Sequence, residues 1–142
     1  MKEELMRKLC EAMTGERVII YHDPDDEWCC STFVATCMVG YSISDCNGAD
    51  DKNFLAACYT FDPHMVKILP ITLTLAHEIG HWMTRRKYNK TAELRKYRRE
   101  ADAATPEQYP YIEAEKAATM WGIAWINTHP DIVTQFETEW AI

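Results

Sequence analysis

The stretch that most constrains this chain is residues 73–82, which read L-T-L-A-H-E-I-G-H-W. Within it, His77, Glu78 and His81 have the spacing H-E-x-x-H. On an α-helix, residues four apart lie one turn above each other on one face, so both imidazoles can reach a single metal ion. The flanking residues are apolar on most sides of this helix, which predicts that it is buried.

The chemistry of such a pair favours zinc. Zinc accepts neutral imidazole nitrogens and keeps a position open for water, and a carboxylate such as that of Glu78 can take the proton of that water. The alternative is a pair of helix-surface histidines with a salt-bridging glutamate. Burial argues against it, because an unpaired ionisable cluster in a core is costly. The motif therefore indicates a metal site that hydrolyses an amide bond.

Length and charge limit the possible classes of protein. A chain of 142 residues is long enough for one core and too short for two, so we expect a single domain over residues 1–142. The formal charge of −7 argues against a general nucleic-acid binder, which relies on a basic surface. No apolar run has membrane-spanning length, so we expect no membrane partner.

The N-terminus and the cysteines bear on the compartment. Residues 1–13 mix charged and apolar side chains in the manner of an amphipathic helix and lack the continuous apolar centre of a signal peptide. We therefore expect a cytoplasmic protein whose cysteines are free thiols. The six cysteines are Cys10, Cys29, Cys30, Cys37, Cys46 and Cys58.

The order of elements predicts an α+β fold. Strands are expected at 17–22, 32–43, 55–61 and 64–69, with a turn at 23–27 and a loop at 45–53. They would form a small, mainly antiparallel sheet that, with the N-terminal helix, packs on the H-E-x-x-H helix and the C-terminal helices. The H-E-x-x-H helix should begin near Pro70 and end near Arg85. A linker at 106–110 and helices at 111–127 and 131–140 complete this minimal zincin-like arrangement.

A basic segment follows the H-E-x-x-H helix. Residues 85–99 contain eight of the fifteen lysines and arginines. One interpretation is a solvated helix in which Leu94, Tyr97 and Ala101 make a weak inner stripe. The other is a basic surface beside the site, which would attract an acidic substrate segment or nucleic acid.

A catalytic zinc needs a third protein ligand. Glu113 and Glu115 lie among apolar residues of the predicted helix at 111–127, where a carboxylate is either at the edge of the helix or paired inside. His22, His64 and His129 are competing ligands. None of them follows the motif at the short glycine-linked spacing that a metzincin requires.

Two motifs resemble the ImmA/IrrE-type metallopeptidases, which are small gluzincins. Residues 74–81, T-L-A-H-E-I-G-H, are similar to the family's T-L-A-H-E-L-G-H. Residues 115–122, E-K-A-A-T-M-W-G, are similar to its E-x-x-A-[N/D]-x-F-A. The resemblance implies that His77, His81 and Glu115 bind Zn²⁺ and that Glu78 is the general base. Glu113 is then the second choice as third ligand.

The chain departs from the family at Thr119, where the family has Asn or Asp. That side chain helps to hold a ligand histidine by hydrogen bonding, and Thr can make one such bond but cannot act as a carboxylate partner. A gluzincin also needs a donor for the developing oxyanion. The candidates here are Tyr109, Tyr111, His64 and Arg85.

The resemblance further implies a narrow protein substrate, often a DNA-binding transcriptional repressor of a stress, phage or mobile-element response. Its peptide would add to an exposed sheet edge. Two alternatives remain. The chain would be a catalytically weak metal-binding regulatory protein, or a SprT-like nucleic-acid-associated protease with a third histidine, for which only His129 is available.

Overall fold

The computed structural model describes residues 2–22, 30–33, 38–41, 52–84 and 91–142, and most of these are helical. The α-helices are α1 (Lys2–Thr14), α2 (Lys52–Phe61), α3 (Pro70–Thr84), α4 (Thr91–Ala103), α5 (Glu113–Thr128) and α6 (Pro130–Trp140). Short 3-10 helices, Pro63–Lys67 and Tyr109–Tyr111, precede α3 and α5. Three four-residue strands are β1 (Ile19–His22), β2 (Cys30–Phe33) and β3 (Met38–Tyr41).

The strands are a minor part of the described chain, and they pair in the order β1-β3-β2. β1 is parallel to β3, with Ile20 opposite Val39, whereas β2 is antiparallel to β3, with Thr32 opposite Val39. The predicted α+β fold with a mainly antiparallel sheet is therefore wrong, because the described residues are mostly helical and the strand pairing is mixed.

The error lies mainly in residues 55–69, which were expected to form two strands. Residues 55–61 belong to α2, and 64–67 lie in the first 3-10 helix. In α2 the buried residues are Phe54, Ala57 and Cys58, which have the three- and four-residue spacing of a helix face. A short apolar run does not distinguish a strand from a buried helix. Here the chain forms the helix, and one face of that helix buries these side chains.

Several other sequence predictions are confirmed. Helices occupy the predicted N-terminal, H-E-x-x-H and two C-terminal segments as α1, α3, α5 and α6. α5 begins two residues later than predicted because residues 109–111 form a 3-10 helix. The predicted turn at 23–27, most of the loop at 45–53 and residues 85–90 lie outside the described residues.

Two further findings concern the predictions about thiols and membranes. Cys10 and Cys58 are free and buried. Among the described helices, none combines the length and the apolar character needed to cross a membrane.

α3 is the centre of the hydrophobic core. Residues 71–80, which form most of this helix, are all buried. Buried side chains of α1, α5 and α6 belong to the same cluster, among them Leu9, Ile123 and Phe136. α3 also receives a cap from a distant helix, because the Glu137 carboxylate of α6 accepts hydrogen bonds from the Leu69 N–H (2.8 Å) and the Thr72 hydroxyl (2.6 Å). A carboxylate at a helix N-terminus satisfies free N–H groups and complements the helix dipole.

α3 and α5 approach each other so closely that glycine is required on both sides. A Cβ at Gly80 would lie 2.8 Å from the backbone carbonyl carbon of Ala118 on α5. A Cβ at Gly122 would lie 2.9 Å from the backbone carbonyl of Ala76 on α3. These reciprocal contacts are tighter than normal carbon packing allows, so only hydrogen fits at either position. This close approach brings the side chains of the two helices into one site.

Candidate metal centre

The two histidines of the H-E-x-x-H motif lie on consecutive turns of α3. His77 is buried and His81 is partly exposed, and their rings meet edge to face with centroids 4.6 Å apart. The Phe54 ring of α2 packs against His77 in the same manner, with centroids 5.0 Å apart. These two ring contacts restrict the orientation of the His77 ring.

Glu115, in the first turn of α5, completes the cluster. Only 5% of this residue is exposed. Its Oε1 lies 3.1 Å from Nε2 of His77 and 3.3 Å from Nε2 of His81. The possible ligand atoms of all three residues lie within 4.8 Å of one another. This buried group could therefore bind a metal ion.

The charges of these residues are strongly coupled. Burial alone would raise the pKa of the Glu115 carboxyl, but hydrogen bonds and charge attraction from His77 and His81 hold it well below its usual range. Burial alone would lower the pKa of His81, but Glu115 and, to a smaller extent, Glu78 raise it above its usual value. Glu115 thus remains a carboxylate, which is the form that binds metal ions.

Thr119 contacts Nδ1 of His77, the ring nitrogen that does not contact Glu115. It lies one turn after Glu115 on α5 and is 3% exposed. Its hydroxyl oxygen is 2.8 Å from Nδ1 of His77. When Nδ1 carries the proton and donates it to this hydroxyl, the lone pair of Nε2 points to the cluster. The Thr119 hydroxyl thus makes one hydrogen bond with a possible ligand histidine, as expected for a threonine at this position.

Glu78 lies next to His77 in α3 and is buried, with 8% of the residue exposed. Its charge raises the pKa of His81 against the opposing effect of burial, though less than Glu115 does. It also adds to the raised pKa of Tyr109, which burial and Glu115 raise more strongly. A carboxylate is thus present beside the three possible ligands without belonging to their cluster.

The competing third ligands lie elsewhere. Glu113 is two residues before Glu115, and its carboxylate accepts a hydrogen bond from Lys96 at 2.8 Å. His64 is exposed in the first 3-10 helix, and His22 is exposed at the end of β1. His129 stacks on the Trp125 ring with centroids 4.2 Å apart. Of the residues that the structure describes, only His77, His81 and Glu115 form such a ligand group.

The four predicted oxyanion donors are in different positions. The Tyr109 hydroxyl is near the cluster, 3.0 Å from the hydroxyl of Tyr97. Tyr111 is exposed and its ring packs on Phe61, with centroids 5.3 Å apart. His64 is outside the cluster, and Arg85 lies outside the described residues. Of the three candidates in the described part of the chain, Tyr109 is therefore the one that the fold brings to the site.

Tyr97 was missed as a site residue. Its hydroxyl, carried by α4, donates a hydrogen bond to Oε2 of Glu115 at 2.7 Å. Burial and the Glu115 charge raise the pKa of Tyr97, so the hydroxyl keeps its proton. The sequence signal was a tyrosine between charged residues of a predicted solvated helix, where an aromatic side chain indicates a contact with the body of the protein.

Comparisons with known proteins give no relative: no family model, no curated protein and no solved structure matches the chain. The function is therefore inferred from the arrangement of the side chains and from the two sequence motifs.

Proposed function

We propose that the chain is a zinc-dependent endopeptidase of the ImmA/IrrE type. The observation that carries the proposal is the convergence of His77, His81 and Glu115 in a buried site, with the carboxylate of Glu78 one residue from the first ligand. A site that only held a metal ion would have no use for the additional buried carboxylate, whereas hydrolysis requires a base.

The donor set fits zinc. Two imidazole nitrogens and one carboxylate oxygen are the ligands of many catalytic zinc sites, which keep a fourth position for water. A bound zinc ion would supply Lewis-acid chemistry by lowering the pKa of its water and polarising a carbonyl oxygen. The Thr119 hydroxyl would keep the proton of His77 on Nδ1, so that Nε2 is free to bind the ion.

Glu78 is the proposed general base. Its carboxylate would take a proton from the attacking water and pass it to the nitrogen of the leaving amine. Burial keeps bulk water away from this carboxylate, which strengthens its interactions with charges formed in the reaction. Tyr109 is the proposed donor to the developing oxyanion, because its hydroxyl is near the cluster and its raised pKa keeps it protonated.

The proposed substrate is a specific protein, which the family resemblance suggests to be a DNA-binding transcriptional repressor. β2 is an edge strand in the order β1-β3-β2, and it lies against α3. An extended peptide that added to this edge would pass beside the helix that carries His77 and His81. Proline substitutions along β2 should therefore reduce cleavage, and unchanged cleavage would exclude this docking mode.

The first test is the zinc content of the purified protein, measured by mass spectrometry. We expect about one zinc per chain in the wild type, as a single site with three protein ligands predicts. Glu115→Gln should lose the zinc, whereas Glu113→Gln, which changes a carboxylate two residues away, should keep it. A wild-type protein that takes up no zinc when zinc is supplied would contradict the proposal.

The second test concerns hydrolysis. Glu78→Gln should retain the zinc but lose activity, because the amide cannot accept the proton. Cells that express the wild type should contain new protein N-termini that are absent from cells expressing Glu78→Gln at equal zinc content. If the two sets of N-termini were the same, the metal-binding regulatory protein would be the better description.

A further inference from the structure

α4 is attached to the site by polar contacts. No residue of α4 whose side chain is described is fully buried. Three of its side chains nevertheless reach the first turn of α5. Lys96 Nζ donates to Glu113 Oε2 (2.8 Å), Glu100 Oε2 accepts from the Glu113 N–H (3.3 Å), and the Tyr97 hydroxyl donates to Glu115 Oε2 (2.7 Å).

The contact of Tyr97 is with Glu115, which is one of the three possible metal ligands. The two oxygens of Glu115 have different surroundings. Oε1 lies 3.1 Å from Nε2 of His77 and 3.3 Å from Nε2 of His81. Oε2 lies 3.2 Å from Nε2 of His81 and also accepts the proton of Tyr97. Tyr97 thus contacts the oxygen that is near one histidine and leaves the oxygen that is near both without a hydrogen bond from the described side chains of α4.

The Tyr97 hydroxyl is within hydrogen-bond distance of a second tyrosine. The Tyr109 hydroxyl, from the 3-10 helix before α5, lies 3.0 Å from the Tyr97 hydroxyl. A phenol has one proton to donate. Since Tyr97 gives its proton to Glu115, its oxygen can accept the proton of Tyr109 until a developing oxyanion takes that proton. Without substrate, the two phenols can therefore form a chain of hydrogen bonds that ends on the carboxylate, and such chains strengthen each member.

We infer that Tyr97 is a positioning residue of the metal site, whose hydroxyl holds Oε2 of Glu115 and thereby presents Oε1 to the ion. The inference rests on the proposed function in that the site must bind zinc. A carboxylate can bind a metal ion through one oxygen or through two. A hydrogen bond on Oε2 favours binding through Oε1 alone, which keeps zinc at four ligands including water.

The test compares Tyr97→Phe with Tyr111→Phe. The first removes the hydroxyl on Glu115, and the second removes a hydroxyl from an exposed tyrosine whose ring contact with Phe61 a phenylalanine can keep. Zinc affinity is measured by competition with a chromophoric chelator, and the coordination of the site by the visible absorption spectrum of the Co²⁺-substituted protein. Thermal unfolding of the metal-free variants reports any effect on the fold.

We expect Tyr97→Phe to bind zinc about tenfold more weakly, the lower end of the effect of residues that hold metal ligands. Its Co²⁺ absorption should weaken, as expected when Glu115 binds through both oxygens and the coordination number rises. Tyr111→Phe should match the wild type in both measurements. These results together would support the positioning role.

Other results would overturn the inference in distinguishable ways. Wild-type zinc affinity and Co²⁺ spectrum in Tyr97→Phe would overturn it and leave the proposed function intact. The same two results with a lowered unfolding temperature would assign Tyr97 a purely structural role. A wild-type protein that bound neither ion would overturn the proposed function, and the inference with it.

Discussion

α3 and α4 both contact α5, but they do so in different ways. α3 meets α5 backbone to backbone, with glycines at two positions where a Cβ would strike the other helix and with residues 71–80 buried. α4 meets α5 through the ends of Lys96, Tyr97 and Glu100, and the side chains described in α4 are exposed or partly exposed. The first contact is close packing, and the second is a set of hydrogen bonds and an ion pair.

The two kinds of contact correspond to different roles at the site. The proposed ligands and base lie on α3 and α5, where close packing leaves little room for movement. Tyr97 lies on a helix whose contacts are of the kind that surface water competes for. The positions of the ligands should therefore depend on α3 and α5, whereas α4 should adjust one of them. Substitutions that affect one contact and spare the other can test this separation.

The largest effect is expected at Gly80. In Gly80→Ala the new methyl group would collide with the Ala118 backbone, which cannot move aside as a flexible side chain could. Overpacking of this kind costs about 3 kcal/mol or more, which exceeds the gain of up to about 1 kcal/mol from the higher helix propensity of alanine. Urea unfolding of the metal-free protein, followed by circular dichroism, measures the loss.

Gly15→Ala provides the control. Gly15 has φ +68° and nothing within 4 Å of an added Cβ, so alanine costs only the left-handed conformation, about 1–2 kcal/mol. If Gly80→Ala were no more destabilising than Gly15→Ala, the close packing of α3 on α5 would be in doubt, and with it the contrast to α4.

A smaller loss of stability is expected at the start of α3. Glu137→Ala removes the carboxylate that accepts the Leu69 N–H and the Thr72 hydroxyl. Because water can partly replace the two hydrogen bonds to this half-buried carboxylate, we expect a loss of about 2 kcal/mol in total. Glu139→Ala is the matched control, since Glu139 lies on the same helix and accepts a hydrogen bond from Gln135 within α6. Equal unfolding midpoints for the two variants would argue against the cap on α3.

Thr119 tests the α3–α5 contact at the site. Thr119→Val keeps the shape of the side chain but leaves Nδ1 of His77 without its acceptor. Loss of such a partner weakens metal binding by about tenfold, or about 1.4 kcal/mol. Thr119→Ser keeps the hydroxyl and should restore most of the zinc affinity. Equal affinities for Val and Ser would indicate that ring packing alone orients His77.

The helices at the site were predictable because each follows from local sequence. H-E-x-x-H needs only the period of a helix to put His77 and His81 on one face. From the residues alone, Glu113 and Glu115 were both open as third ligand, and the family resemblance favoured Glu115. The structure separates them by rotation, because two residues on a helix are about 200° apart. Glu115 faces the histidines and Glu113 faces Lys96.

The remaining features depend on contacts between distant parts of the chain. The apolar run at 55–61 was compatible with a strand or a helix, and packing against the core decided for a helix. The role of Tyr97 depends on how α4 lies against α5, which no local pattern encodes. Each of the two motifs contains one of the glycines, Gly80 and Gly122. Glycine is needed at both positions because α3 and α5 approach each other closely there, and the two positions are 42 residues apart in the sequence.

The smallest effect is expected on the outer side of α4. Lys96→Met removes the ion pair with Glu113 and keeps a side chain of similar length at position 96. Because half of the lysine side chain is exposed, water and salt screen this pair, and the pair adds little to stability. We expect an unchanged unfolding midpoint and unchanged zinc affinity, since the Tyr97 hydroxyl still bonds to Glu115. A clear loss of zinc affinity in Lys96→Met would mean that the ion pair, together with Tyr97, holds α4 in place. The positions of the ligands would then depend on the whole contact of α4 with α5 and not on the Tyr97 hydroxyl alone.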